Sequence, residues 1–165
     1  MDSNPSGGNN YKDVCKPIHY SNHSCKILLF YSEIVLMNKQ FSGRIENPQV
    51  IEELIADKNS NKLFVFGANW CPDAINLLQK LNDTSVKKVL DNEFITYFID
   101  VEKYSINMEI YKSFGLDAIE GIPRVFLVSK SGRVLNLDTN DYWRDSRNIP
   151  DTEFVKYLQS FSPEL

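Results

Sequence analysis

Cys71 stands between the apolar run Leu63-Phe64-Val65-Phe66 and a helical pattern of Ile75, Leu77, Leu78 and Leu81, where a buried strand hands over to a helix. A cysteine in or just before the first turn of a helix faces unpaired backbone N–H groups and the positive end of the helix dipole, and both favour thiolate over thiol. The chemistry that follows from such a sulfur is nucleophilic attack on a disulfide. In a Cys-x-x-Cys pair the first thiolate attacks and the second resolves the mixed disulfide, but the second position here is Ala74. The chain therefore carries an attacking thiol without a local resolver. Pro72 suits the first helical position because it forfeits no needed hydrogen bond, and Trp70 is placed to cover one side of the sulfur. Asp73 works the other way, since a carboxylate two residues from the sulfur disfavours a second anion.

Elements that could hold this thiol are legible on both sides of it. Asn47 is a good N-cap, Pro48 suits the position after it, and Val50, Ile51, Leu54 and Ile55 share one face at helical spacing. Leu63 to Phe66 reads as a central strand buried on both faces. Beyond the Cys71 helix the pattern predicts a strand from Phe94 to Ile99 closed by Asp100, then a helix from Ser105 to Phe114 ended by Gly115. Gly121-Ile122-Pro123 opens the apolar strand Val125 to Val128, which turns at Ser129-Lys130-Ser131-Gly132 toward Val134-Leu135. An amphipathic helix from Thr152 to Phe161 closes the set.

Trp-Cys at a strand–helix junction, followed later by Ile-Pro opening an apolar strand, resembles the thioredoxin-like proteins over residues 45 to 161. The resemblance implies an α/β, thioredoxin-like fold: a central mixed sheet flanked by helices, occupying residues 45–165 behind an N-terminal extension of residues 1–44. It implies that the peptide bond before Pro123 is cis, that this proline lies against the active cysteine, and that the Ile122 backbone pairs with an extended peptide or glutathione. The expected site is then Cys71 as nucleophile, with Trp70, Pro72, Asp73, Ile122 and Pro123 shaping the groove and no metal. Two positions depart from a dithiol reductase. The buried acid that many thioredoxins place beneath their cysteines corresponds to Val65, and the lysine often paired with it falls near Thr96. Ala74 fits either a chain that has abandoned dithiol reduction or a cysteine replaced to trap an intermediate. Gly67 to Ala74 with Trp143-Arg144 is similar to a group of thioredoxin-like proteins whose activity is poorly defined.

Two functions are therefore expected from this resemblance. One is a monothiol thiol–disulfide oxidoreductase acting through Cys71 on disulfides or glutathione mixed disulfides, with glutathione as co-substrate and no resident cofactor. The other is a non-catalytic module that binds a protein partner at the groove beside Pro123, with Cys71 inert.

Composition bounds the rest. A chain of 165 residues with 42% hydrophobic content suits one domain plus a tail, and a net charge of −4 without a basic stripe argues against nucleic acid as a partner. Three cysteines, an odd number, argue against a secreted disulfide framework and for a reducing, cytoplasmic setting. Met1 to Pro5 has the make-up of no signal peptide, and the apolar stretch Ile27 to Met37 is far short of the ~20 residues that span a bilayer, so no membrane anchor is expected. Residues 1 to 12 read as disordered. Lys26 to Met37 fits an edge strand, a short buried helix, or sequence upstream of a true start at Met37. Cys15, His19, His23 and Cys25 are zinc-ligand types, but their spacing matches no standard finger, and Pro17, Asn22 and Ser24 disfavour the helix that would align the histidines. Asp138 to Pro150 lies where thioredoxins have a shorter link; Tyr142 and Trp143 among alternating charges suit a partner surface, or else Trp143 caps the domain's own core.

Overall fold

The computed structural model describes residue 41 and residues 44–162. The expectations for the cysteine–histidine cluster at 15–25 and for the stretch at 26–37 lie outside the described residues.

The sheet has three strands, β1 (Asn61–Gly67), β2 (Phe94–Asp100) and β3 (Arg124–Val128), in the order β2-β1-β3. β1 runs parallel to β2, from Asn61 opposite Phe94 to Gly67 opposite Asp100, and antiparallel to β3, from Lys62 opposite Val128 to Phe66 opposite Arg124. The central strand is buried along its whole length. Period-two alternation sends Phe64 and Phe66 to one face and Leu63 and Val65 to the other. On the first face Phe66 meets Tyr111, Phe114 and Phe126 at ring-centroid distances of 4.4, 5.6 and 5.5 Å, and Phe64 stacks on Tyr97 at 4.9 Å. Tyr111 and Phe114 come from a 3-10 helix, Met108–Phe114, which also receives α1 (Gln49–Ala56).

Helix α1 starts where the sequence places it, with Pro48 already at helical φ, ψ and the Asn47 side chain accepting the Gln49 N–H at 3.1 Å. Helix α2 is Pro72–Leu81 and α4 is Glu153–Ser160. A further helix, α3 (Thr84–Glu93), occupies a stretch to which the sequence assigns no element. Asp83 caps it by accepting the Ser85 N–H at 2.8 Å, but its buried residues are only Val86 and Leu90, a stripe too narrow to stand out from the pattern. α3 packs on β2 and on α4, while α2 packs on another 3-10 segment, Tyr142–Asn148, that also touches β3.

Two expectations are corrected. The helix predicted from Ser105 begins only at Met108 and is 3-10, because Asn107 is left-handed and its amide is committed elsewhere. Its Nδ2 donates to Asp100 O at 2.7 Å and its Oδ1 accepts the Ile45 N–H at 2.9 Å. The strand predicted at Val134-Leu135 is reduced to one bridge, Val128 to Val134, and a Leu135 N–H bond to Leu127 O at 2.8 Å. The Asn136 side chain then takes the place of backbone: Oδ1 accepts the Leu127 N–H and Nδ2 donates to Val125 O, both at 2.8 Å. An amide side chain carries the same donor and acceptor as a peptide, so it completes the β3 edge without a fourth strand.

Phe41, which the sequence places in the extension, is fully buried. Its ring lies over Gly67, where an added Cβ would come within 2.2 Å of it, and its carbonyl accepts the Asn69 side-chain amide at 2.6 Å. Trp143 is also fully buried, 4.6 Å from Phe154 and 5.5 Å from Tyr157 between ring centroids. Of the two readings of the 138–150 segment, the structure shows Trp143 capping the domain's own core, whereas Tyr142 remains exposed against Tyr157. Among the described residues no helix is long and apolar enough to cross a membrane.

Candidate functional site

Strand β1 ends at Gly67, and four residues later Cys71 is the N-cap of α2, at φ −86° and ψ 116°. Its N–H bonds Ala68 O at 3.1 Å and its carbonyl accepts the Ile75 N–H at 3.0 Å, so backbone on both sides fixes the sulfur's origin. The residue is only 6% exposed. Its thiol donates to the Ile122 carbonyl at 3.6 Å, which brings together two positions 51 apart in sequence. The Ile122–Pro123 peptide is cis, and both residues are buried.

The segment before Pro123 is bonded by Arg124 and lies close to Arg144. Arg124 donates from Nε to Gly121 O at 3.1 Å, from Nη2 to Glu120 O at 2.6 Å and from Nη1 to Asn140 Oδ1 at 2.8 Å. Burial pulls this guanidinium below its ordinary value, opposed by Asp141 at 4.0 Å. Arg144 lies over Gly121, whose φ of +80° and closeness, 2.7 Å from an added Cβ to Arg144 Nε, leave no room for a side chain.

Trp70 is 52% exposed and forms an aromatic wall with the loop that follows β2. Its indole N–H donates to Glu102 O at 2.6 Å, and its ring meets Tyr104 edge-on at 6.1 Å. The loop that supplies this wall holds Glu102, Tyr104 and Asn107 at positive φ, an uncommon concentration for residues other than glycine. Asp100 closes it by accepting the Glu102 N–H at 2.8 Å.

Asp73 does not stand as the unopposed carboxylate that its position beside Cys71 suggests. Arg147 grips it with three donors: backbone N–H and Nε to Oδ1 at 3.2 and 3.1 Å, and Nη2 to Oδ2 at 3.1 Å. These bonds hold the Asp73 carboxyl below the usual carboxylate range, and Asp73 in turn raises the guanidinium. Ser146, next to Arg147, donates to Asp73 O at 2.5 Å. The far end of α2 is tied to the same stretch of chain, since Lys80 donates to Ile149 O at 2.8 Å and pairs with Asp151. Arg147, Ser146 and Arg124 are the site residues that sequence reasoning misses. The alternating charges at 141–147 mark the arginine, but nothing in them names Asp73 as its partner.

The two positions matched to a dithiol reductase's acid and lysine are uncharged: Val65 is fully buried between Phe98 and Val125, and Thr96 lies opposite Leu63. Cys71 is the one cysteine among the described residues, and no group of three or more His, Cys, Asp or Glu that could hold a metal occurs among them. The arrangement can present one sulfur next to a backbone carbonyl, with Trp70 preceding it in the chain and the backbone before Pro123 bonded by Arg124.

No protein-family model and no curated protein matches this chain. Among solved structures, it is similar to a disulphide isomerase from Xylella fastidiosa Temecula1, at a TM-score of 0.65 and 23% identity over 76% of this chain and 98% of that one. A thioredoxin-fold protein from Helicobacter pylori matches at a TM-score of 0.42 and 15% identity over 82% of this chain and 94% of that one. The fold is thioredoxin-like, with the mixed sheet and flanking helices described above.

Proposed function

We propose that the protein is a monothiol thiol–disulfide oxidoreductase whose nucleophile is Cys71. The observation that carries this reading is the position of the sulfur, at the N-cap of α2 and 3.6 Å from the carbonyl that precedes cis Pro123. A disulfide laid along the Ile122 backbone would meet the sulfur there, between Trp70 and Pro123, with Pro72 fixing the start of the helix. In the first step the Cys71 thiolate attacks the glutathione sulfur of a mixed disulfide, the S–S bond breaks, and the protein thiolate leaves and takes a proton from water. In the second, a glutathione thiolate attacks the Cys71 mixed disulfide, releasing oxidised glutathione and regenerating the thiolate. Ala74 in the place of a local resolving cysteine, and Val65 in the place of an acid, suit resolution by an external thiol. The setting proposed is the reducing cytoplasm, with protein thiols and disulfides as partners, glutathione as co-substrate, and neither nucleic acid nor membrane.

Turnover of a glutathionylated peptide by excess glutathione tests the reading. Wild type should accelerate release and Cys71→Ser should not; equal rates with wild type, Cys71→Ser and no protein would overturn it. A second reading, a non-catalytic partner-binding module at the same groove, draws on the 6% exposure of Cys71. Pull-down separates the two: partners held equally by both forms and indifferent to reductant favour the module, and partners captured only by the cysteine form favour chemistry.

A further inference from the structure

A sulfur that must become anionic to attack, and that spreads negative charge over three sulfurs as it does so, is opposed by any uncompensated carboxylate nearby. Asp73 is such a carboxylate, in the first turn of the helix that Cys71 caps, and its side chain is only 14% exposed. Arg147 reaches it across 74 positions of sequence with a fork of two side-chain donors and a backbone N–H. The guanidinium remains 56% exposed, so it is not there to fill the core. Cys71 caps the helix whose first turn carries Asp73, two residues on, so the sulfur, the carboxylate and the guanidinium that grips it gather at one helix end. Asp145, the other acid acting on Arg147, has its Oδ1 taken by the Asn148 side-chain amide at 2.8 Å.

We propose that Arg147 is a positioning residue for the Cys71 reaction: its fork on Asp73 cancels the carboxylate charge at the first turn of α2 and leaves the helix terminus free to favour an anionic sulfur. This deepens the oxidoreductase reading and rests on it. The alternatives are a purely mechanical strap, in which Arg147 matters only for tying residues 142–148 to α2, and direct recognition of an anionic substrate by the guanidinium.

The test reads the second-order rate at which Cys71 forms a mixed disulfide at neutral pH, by mass, with oxidised glutathione as the anionic probe and bis(hydroxyethyl) disulfide as the neutral one. In each reaction the sulfur bonds to one half of the probe, the probe's S–S bond breaks, and the other half leaves as a thiolate that takes a proton from water. Arg147→Ala should slow both probes equally, about three- to tenfold. Asp73→Asn, which keeps the shape and removes the charge, should react faster than wild type, because the guanidinium charge is then uncompensated. The double variant Arg147→Ala/Asp73→Asn should recover to within about twofold of wild type, because the carboxylate that Arg147 compensates is gone. A double variant as slow as Arg147→Ala would overturn the proposal in favour of the strap. A loss confined to oxidised glutathione would overturn it in favour of substrate recognition, and an unchanged Arg147→Ala would overturn it outright. Thermal midpoints of all four proteins separate unfolding from chemistry. These ratios are single-turnover quantities, so a wild type that fails to turn over substrate would sink the proposed function while leaving the ratios readable.

Discussion

At the residue scale, Gly67 and Asp73 are each defined by a single neighbour. Gly67 needs no unusual φ; it is glycine because the Phe41 ring lies where its Cβ would be, with three ring atoms 2.2 to 2.6 Å away. Gly67→Ala should therefore destabilise the protein by about 1–3 kcal/mol through overpacking, and Phe41→Leu in the same chain should return part of the loss. Denaturant unfolding of the two single variants and the double measures this; additive losses would show that the ring and the glycine do not touch. For Asp73 the sign follows from the direction of its shift. A carboxyl held low in the folded state adds stability that is present in full above the ordinary aspartate value of about 3.9, and fades as pH falls through the lower folded value. Wild type should exceed Asp73→Asn in denaturant midpoint at neutral pH by a modest margin, and the two should converge as pH falls through the lowered folded value. A margin that persists in acid would mean that shape, not charge, holds the pair.

At the element scale, the edge of β3 is completed by one side chain. Asn136 pairs with Leu127 N–H and Val125 O where a fourth strand was expected, and its Nδ2 also donates to the Tyr157 hydroxyl at 2.7 Å. Asn136→Ala would leave a buried donor and a buried acceptor on β3 without partners, at a cost of about 2–4 kcal/mol. The Leu127 amide should then exchange with solvent much faster than the amides of β1; unchanged protection at Leu127 would show that the edge has another partner. The sequence makes β3 plain because Val125 to Val128 is uniformly apolar, but a polar residue after a turn reads as loop whether or not its amide stands in for a peptide. Helix α3 escapes notice for a related reason, since two buried residues in ten are too few to set a period.

At the scale of the whole molecule, the segment between β3 and α4 joins the C-terminal aromatic cluster to the first turn of α2. Trp143 anchors it in the core, and three and four residues on, Ser146 and Arg147 hold Asp73. Trp143→Ala should cost about 3–5 kcal/mol as a large buried truncation and should also loosen that hold. Alkylation of Cys71 by a bulky maleimide should then rise under conditions where the variant is still folded by circular dichroism; an unchanged rate would show that the segment does not guard the thiol. The sequence by itself determined the strand–helix junction at Cys71, the apolar β1, the proline that opens β3 and the order of β1, α2, β2 and β3, because each is written in adjacent residues through side-chain period, capping and turn chemistry. Only the tertiary structure decided that Phe41 belongs to the core, that Trp143 faces inward, and that the carboxylate beside the thiol is answered by Arg147. Those outcomes depend on which surfaces meet across long stretches of chain, 74 positions in the last case, and the local spacing of residues carries no record of a partner that only folding brings near.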